Sequence, residues 1–508
     1  MSVRVRYAPS PTGSPHVGNV RTALYNWLYA RKEGGKFLVR LEDTDRSPER
    51  YVPEGIYDIE ASLRFLGVLP DEWWVTGGPN APYVQSKRLE SYHAAADRLI
   101  ADGFAYRCYC TRERLEEMRA AQEFHGAATG YDRHCRTPEG RERMRVERIE
   151  RGEGPEPGYV VRLAMPLDGV TVLHDIVRGD ISYENRLQDD QVLLKSDGYP
   201  TYFLAAAVDD LATGITHIIR GDDWLSSAPK LVQVFKALGS EPPKFVHPPL
   251  IVGADGKKLS KRHGATQFNW FMEQGYLPEA MFNFLVLLGW SAGAENRELF
   301  SIPELIERFS LEGMAQHAAI FDYEKLKWMN GYYIRQSEPG RIIGLCLPYL
   351  RRAGLIPDAP GQDASEAEKA RYRIEVLDYA RRVITIEIER MKVLSEVTGL
   401  VGFFFKELDY PDGYDNKAIA KWMSVAHLKP MLEAEIAGFD QLANWTETGI
   451  EAVIRGIGEN LQVKFADIIH PTRVAATGQT VGPGLFETLW ALGRERTVGR
   501  LRTVLQRA

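Results

Sequence analysis

The 508-residue sequence holds only four cysteines, too few and too clustered for a disulfide framework in a chain of this size. No run of roughly 18 uninterrupted apolar residues occurs. The start reads as a strand rather than a basic-plus-apolar leader, so a cytoplasmic protein with no membrane partner is expected. A basic surplus is missing too: 63 Lys and Arg stand against 69 Asp and Glu, a net charge of −6. Whole-chain electrostatics therefore announce no nucleic-acid partner, and any such contact must come from local surfaces such as residues 141–151, with five arginines, or the tail 494–507. Both read equally as solvated helix faces. No repeat with a period of roughly 20–50 residues is present, and beyond residue 264 strand-like runs are few. A hydrophobic content of 44% is ordinary for a globular chain long enough for several domains.

The most informative stretch is Arg6-Tyr-Ala-Pro-Ser-Pro-Thr-Gly-Ser-Pro-His-Val-Gly-Asn19. Before it, Val3, Val5 and Tyr7 alternate with Arg4 and Arg6, a short strand; after it, Val17, Val20, Leu24, Trp27 and Leu28 recur at helical spacing until Gly34-Gly35. Prolines and a glycine hold the loop between them. His16, Gly18 and Asn19 fall in the first helical turn, where free N–H groups and the helix dipole attract phosphate. Gly18 admits a purine or ribose to the backbone, and His16 sets an imidazole against phosphate oxygens. A helix start with a solvated histidine has the same pattern. Far downstream, after the apolar run 245–252, Val252-Gly-Ala-Asp-Gly-Lys-Lys-Leu-Ser-Lys-Arg262 forms a glycine-rich loop carrying Lys257, Lys258, Lys261 and Arg262. Alone it reads equally as a solvated turn.

Together, a His-x-Gly-Asn helix start and a Lys-Leu-Ser-Lys-Arg loop resemble the two signatures of class I aminoacyl-tRNA synthetases. Arg6-x-Ala-Pro-Ser-Pro-Thr-Gly, Arg40-Leu-Glu-Asp-Thr-Asp45, Ser196-Asp-Gly-Tyr-Pro-Thr-Tyr202 and Ile219-Arg-Gly-Asp-Asp-Trp224, in this order, look like the bacterial-type glutamyl branch, and the match runs over almost the whole chain.

The resemblance implies activation of L-glutamate by ATP, with Mg²⁺ on the phosphates, and transfer to the 3′-terminal ribose of tRNA(Glu) by a monomer. Positioning and charge neutralisation are the work required. His16, Gly18, Asn19, Lys258, Ser260, Lys261 and Arg262 are the expected ATP-site residues, Lys261 being the first choice for phosphate and Ser260 a candidate for merely holding its own turn. An acidic substrate needs planar forks for its carboxylates, for which Arg6 and Arg220 at strand ends are suited, and a carboxylate for its ammonium, Glu42. In the resembling family the matching positions Arg6, Ala8, Ser10, Glu42, Tyr199 and Arg220 would line the glutamate pocket. Asp43 and Asp45 have the alternative of capping the following helix. Asp222-Asp223 departs from the glutamates of some relatives, which puts contacts near Trp224 in question. A second, hydrolytic site is not expected, because substrates lacking a charged carboxylate are easily rejected.

The opening reads βαβα: strands at 3–7 and 37–41, helices at 17–32 and 54–66. The expected fold is α/β, a split Rossmann-like class I catalytic domain whose ligands sit at the carboxyl ends of parallel strands. Its halves are placed at 1–101 and 192–263, around an inserted α+β acceptor-binding domain at 102–191. A helical stem-contact domain follows at 264–336, then an all-α anticodon-binding region at 337–508, with helical segments at 370–397, 418–433 and 446–461. Cys346 reads as core. Cys108, Cys110 and Cys135, with Tyr131, resemble a structural zinc site of part of this family; His134 and His125 are alternative fourth ligands, and three reduced thiols the alternative to a metal. Arg390 lies near where relatives read the anticodon, though pairing with a neighbouring glutamate accounts for it equally. Glutaminyl-tRNA synthetase, a short paralogue lacking the helical part, and a non-catalytic tRNA-binding paralogue are the alternatives.

Overall fold

The computed structural model describes residues 2–293 and 297–507, with the side chain of Lys261 outside the described set. The chain divides into two units, Met1–Met272 with Pro278–Tyr323, and Glu273–Leu277 with Glu324–Ala508. The segment 264–336 expected to stand alone is thus shared between them.

In the first unit, β1 (Arg4–Tyr7), α1 (Val17–Lys32), β2 (Lys36–Val39) and α2 (Glu54–Leu66) open the fold. Their apolar spacing fixes both helices at the residues where periodicity begins and ends, and Gly67 closes α2 in the left-handed conformation. Then come α3 (Leu89–Ala101), β3 (Ala105–Cys108), α4 (Arg112–Phe124), α5 (Pro138–Glu150), β4 (Val160–Leu163), β5 (Val170–Asp175), β6 (Gly179–Glu184) and β7 (Val192–Leu194). The unit continues with α6 (Tyr202–Ala212), β8 (His217–Ile219), α7 (Ala228–Ala237), β9 (Lys244–Val246), β10 (Ile251–Val252) and β11 (Ala319–Ile320).

The main sheet has the order β2-β1-β8-β9-β5-β6, parallel except for the edge strand β6. Because β2, β1, β8, β9 and β5 run the same way, Arg40, Ala8, Arg220, His247 and Asp175 come to one edge of the sheet. β1, from the first half, lies beside β8, from the second, and that switch point is where ligands settle in open parallel sheets.

Two assignments need correction. Residues 170–173, expected inside the inserted domain, form β5 of the main sheet, where Asp175 is in register with Phe245. Thr171, Leu173 and Asp175 are buried, and Leu173 packs in one core with Leu231, Phe235 and Phe245. The alternation announces a strand, but its partner lies far along the chain, so the sequence could not say which sheet. The other concerns Val192–Leu194, expected to open the second catalytic half: as β7 it runs antiparallel to β4 and completes the separate sheet β3-β4-β7 with the strands of the insert.

Among the described residues wholly within the second unit, every regular element is helical. Two expected continuous segments are broken. Within 370–397 the α-helix Asp378–Thr385 gives way to the 3-10 turns Ile388–Arg390 and Leu394–Glu396, where Glu387, Val393 and Leu394 turn inward. Within 418–433, helices Asn416–Trp422 and Leu428–Gln441 are separated where His427 bonds the Asp467 carbonyl at 2.8 Å. The segment at 446–461 is the helix Glu447–Leu461, capped by the Thr446 side chain. Cys346 is buried, as expected, and its thiol is pushed up to about 12 by burial. No helix of the described residues is long and apolar enough to cross a membrane.

Glu435 is wholly buried in this unit. It takes a bond from the Thr472 hydroxyl while its Oε2 has no partner among the described residues, and burial pushes its pKa up to about 8 from 4.5. The folded state therefore binds more protons than the unfolded one between these values, and stability falls as pH rises through that window. Glu435→Gln is expected to flatten this dependence and to stabilise the second unit by roughly 1–3 kcal/mol at pH 8. Calorimetry of wild type and variant from pH 5 to 9 checks it; equal pH slopes would refute it.

Candidate active site

Buried charge ties the strand ends to helix α6. Asp210 accepts from Arg6 Nε at 3.1 Å and Arg40 Nη1 at 2.7 Å, while Arg40 Nη2 reaches Glu42 at 3.0 Å. Asp209, its neighbour, accepts from Arg88 Nε at 2.7 Å, Gln85 Nε2 at 3.0 Å and the Tyr92 hydroxyl at 2.8 Å. Burial opposes the charges of Asp210 and Arg40, but their partners prevail: Asp210 is held below the usual carboxylate range by Arg6 and Arg40, and Arg40 is raised by Asp210, Asp209 and Glu42. In Glu42 burial wins and raises the pKa against the pull of Arg40. Three cations meet three carboxylates, so the cluster is neutral. Asp209 and Asp210 were missed in the sequence, although an acidic pair in the otherwise apolar Tyr202-Phe-Leu-Ala-Ala-Ala-Val helix is a readable signal.

The β1–α1 loop differs from expectation in its donors. His16 is the N-cap of α1, and its Nδ1 accepts from Gly18 N–H at 3.1 Å. The Val17 N–H bonds the Thr266 carbonyl, and the Asn19 and Val20 N–H groups bond the His16 carbonyl. The first turn therefore offers no free N–H group at these four positions for phosphate, a correction caused by a capping imidazole and by the chain at 266–268. His16 also meets the Leu259 backbone; burial, with Lys258 adding to it, lowers its pKa, so the ring is a neutral tie between the two signature loops. Asn19 and Ser10 are exposed, and Ala8 and Gly18 half-buried.

The second loop is a turn closed by Gly253 N–H to Lys257 O and Leu259 N–H to Ile251 O. Its lock is His263, which sequence reasoning did not single out: Nδ1 accepts from Ser260 N–H at 3.0 Å and Nε2 lies 3.0 Å from Asp255 Oδ1. A Cβ on Gly253 would stand 2.6 Å from the His263 ring, so only glycine fits there. Ser260 Oγ lies 3.2 Å from the same Nδ1, the turn-holding alternative. Lys258 pairs with Asp223 at 2.9 Å and Arg262 with Asp255 at 3.6 Å, both in the open. The Lys261 side chain lies outside the described residues.

Arg220 follows β8 and is buried. Its guanidinium donates to His247 Nε2 at 3.2 Å, to the Tyr202 hydroxyl and to the Trp224 carbonyl at 3.5 Å, among the rings of Tyr202, Trp224 and Phe245. Among the described residues no carboxylate lies within ion-pair distance of it. Arg6, by contrast, already has Asp210. Tyr199 is half-buried with Lys195 over its ring, and Lys195 Nζ bonds the Thr44 carbonyl at 3.1 Å, which brings the 195–200 turn to the Glu42 segment. Asp43 accepts from Ser86 N–H and Oγ, and Asp45 from Ser47; neither caps α2, whose N-cap is Pro53. Asp222 pairs with Arg178 at 3.0 Å, so both shorter acids near Trp224 find cations.

In the insert, the Sγ atoms of Cys108, Cys110 and Cys135 all lie within 4.8 Å of one another. The Tyr131 hydroxyl stands 3.2 Å from Cys108 Sγ and 3.4 Å from Cys110 Sγ. Tetrahedral zinc with Zn–S of about 2.3 Å needs sulfurs about 3.8 Å apart, so the donor set fits that ion. His125 is exposed at the end of α4, and His134 is not part of the cluster. In the second unit Arg390 pairs with Glu387 at 2.7 Å from a 3-10 turn, not from a helical face.

Residues 2–328 match the family described as tRNA synthetases class I (E and Q), catalytic domain, and residues 343–505 match an anticodon binding domain. A glutamate–tRNA ligase of Dehalococcoides mccartyi is 44% identical over 99% of this chain and 98% of its own length. One of Moorella thermoacetica is 42% identical over 98% and 97%. A crystal structure of a glutamate tRNA ligase from Elizabethkingia meningosepticum in complex with its amino acid superposes with a TM-score of 0.83 at 32% identity, covering 100% of this chain and 99% of that one.

Asp210→Ala would leave Arg6 and Arg40 buried opposite a void. It is expected to destabilise the first unit by about 3–5 kcal/mol, read as a lower midpoint in denaturant. A loss under about 1 kcal/mol would mean that the cluster does not hold the strands to α6.

Proposed function

Because the chain belongs to the class I tRNA synthetases of the E and Q group, we propose that it is a glutamate–tRNA ligase. It activates L-glutamate with ATP to glutamyl-adenylate and pyrophosphate, then transfers glutamate to the 3′-terminal ribose of tRNA(Glu). The observation that carries the amino-acid part is Arg220, a buried fork without a carboxylate partner among the described residues, at the sheet's switch point. A substrate carboxylate supplies the missing charge and displaces only neutral oxygens, those of Tyr202 and Trp224. Arg6 lines the same floor with its charge already matched, and Glu42, facing Arg40, receives the substrate ammonium. Ala8, Ser10 and Tyr199 border the pocket.

ATP lies over the β1–α1 loop, with Gly18 and Asn19 beside it. Since the helix N–H groups are occupied, phosphate recognition falls to side chains. Lys258 exchanges its exposed pair with Asp223 for phosphate oxygens; such pairs are worth under about 1 kcal/mol, so the exchange costs little. Lys261 and Arg262 act beside it, Ser260 holds the turn, and His16 keeps the two loops together. Mg²⁺, when bound together with ATP, would supply charge screening for the phosphates. Carboxylate attack on the α-phosphorus forms the mixed anhydride and expels pyrophosphate, and the ribose hydroxyl then attacks the acyl carbon and releases AMP. Both steps are matters of alignment and charge.

The insert takes the acceptor end of tRNA and carries a structural zinc on Cys108, Cys110, Cys135 and Tyr131. The helical second unit reads the anticodon, with Arg390 among the candidates, and the all-helical character of its described residues disfavours the glutaminyl reading. A cytoplasmic monomer goes with this function.

Aminoacylation of total bacterial tRNA with ATP, Mg²⁺ and labelled glutamate, with glutamine in parallel, tests the reading. Glutamate alone should be transferred, and Arg220→Lys and Lys258→Ala should each lower kcat/KM by roughly 10²-fold or more. No transfer of either amino acid by wild type would overturn it. Purified protein should carry one zinc by elemental analysis and lose it on Cys135→Ser; metal-free wild type would leave three plain thiols.

A further inference from the structure

Three neighbouring strands of the main sheet end in Arg220, His247 and Asp175. All three are buried, and His247 and the Asp175 side chain have no exposure at all. Asp175 Oδ1 accepts from the N–H groups of Val177 at 2.9 Å and Arg178 at 2.8 Å, which pins it; Oδ2 faces His247 Nδ1 at 2.7 Å. On its other side His247 Nε2 takes the Arg220 Nε–H at 3.2 Å. A guanidinium can only donate, so Nε2 must be a lone pair, and Nδ1 must carry the proton given to Asp175.

We propose that Asp175 and His247 are positioning residues for the substrate: they fix one imidazole tautomer, and that tautomer fixes the Arg220 fork that selects a carboxylate. The proposal rests on the reading of Arg220 given above. Burial favours the neutral ring, with Arg220 acting in the same sense and Asp175 against it, while the bonds from His247, Arg178 and Val177 outweigh burial in keeping Asp175 ionised. Phe245 stacks parallel to His247 at 6.0 Å and also touches the guanidinium, so neither ring can turn freely. With Nε tied down, the rotation of the planar fork is set, and Nη1 and Nη2 face the Tyr202 hydroxyl and the Trp224 carbonyl, the neutral oxygens that a carboxylate would displace. A carboxylate needs both; a carboxamide presents a donor to one of them and is repelled.

The dyad makes an unusual demand on residue 175. In Asp175→Asn the carbonyl oxygen stays pinned by Val177 and Arg178, so the amide NH₂ faces Nδ1. His247 must then move its proton to Nε2, directly against the Arg220 N–H. Steady-state pyrophosphate exchange with full-length protein and tRNA should show the KM for glutamate rising about tenfold or more, with the KM for ATP within about twofold, the signature of one lost orienting bond to a charged group. His247→Phe, which keeps the ring and loses the acceptor, should do the same. His247→Gln, which restores an acceptor near Nε2, should recover most of the affinity. Equal effects of Phe and Gln, or parallel rises in both KM values, would overturn the proposal and leave a packing role. Long-range ¹⁵N–¹H correlation of the imidazoles gives an answer independent of turnover. Wild-type His247 should be the neutral Nδ1–H form at pH 7, and the Nε2–H form or the imidazolium would overturn the proposal even where exchange activity fails and removes the ligase reading itself.

Discussion

The bonds from Arg6 and Arg40 to Asp210 are what hold a split fold in one piece. Arg6 belongs to the first strand, Arg40 follows the second, and Asp210 comes from a helix that begins only after the whole insert has been made. Hydrophobic burial would bring these elements together in several registers. A buried carboxylate that must face two guanidinium groups tolerates one, because any slip leaves uncompensated charge inside the protein. The neutral total of this cluster contrasts with Arg220, just past the neighbouring strand β8, which has no carboxylate partner among the described residues.

The site thus holds three kinds of positive charge. Arg6 and Arg40 are spent on structure, and Arg220 is held by rings and neutral acceptors. Lys258 and Arg262 rest on exposed acids that compete weakly in water. On the proposed reading, substrate binding replaces weak or neutral contacts and leaves the buried ion pairs closed, so the floor stays rigid while the phosphate-side loop exchanges partners.

Much of this was legible in the chain. The boundaries of α1 and α2 follow from apolar spacing and flanking glycines, and the two signature loops announce themselves by composition. What stayed hidden is non-local. The alternation at 170–173 shows a strand but not its partner, Asp175 and His247 lie 72 residues apart with nothing in either segment to announce that they meet, and the capping role of His16 depends on where its ring turns. The breaks near Glu387 and His427 were invisible for the same reason: helical periodicity continues through them, and only tertiary burial and one bond to Asp467 stop the helix.

The origin of β5 and β6 has a consequence for modularity. They fall between the insert's own strands in sequence yet belong to the sheet of the catalytic unit, so residues 102–191 are not a cassette. Cutting them out as a block would remove two strands of that sheet and leave β9 with an unpaired edge of the kind that recruits other chains. A transplantable piece would instead need two separate cuts that leave this hairpin behind, and a chimera with a relative would have to match β5 to its recipient, not to its donor.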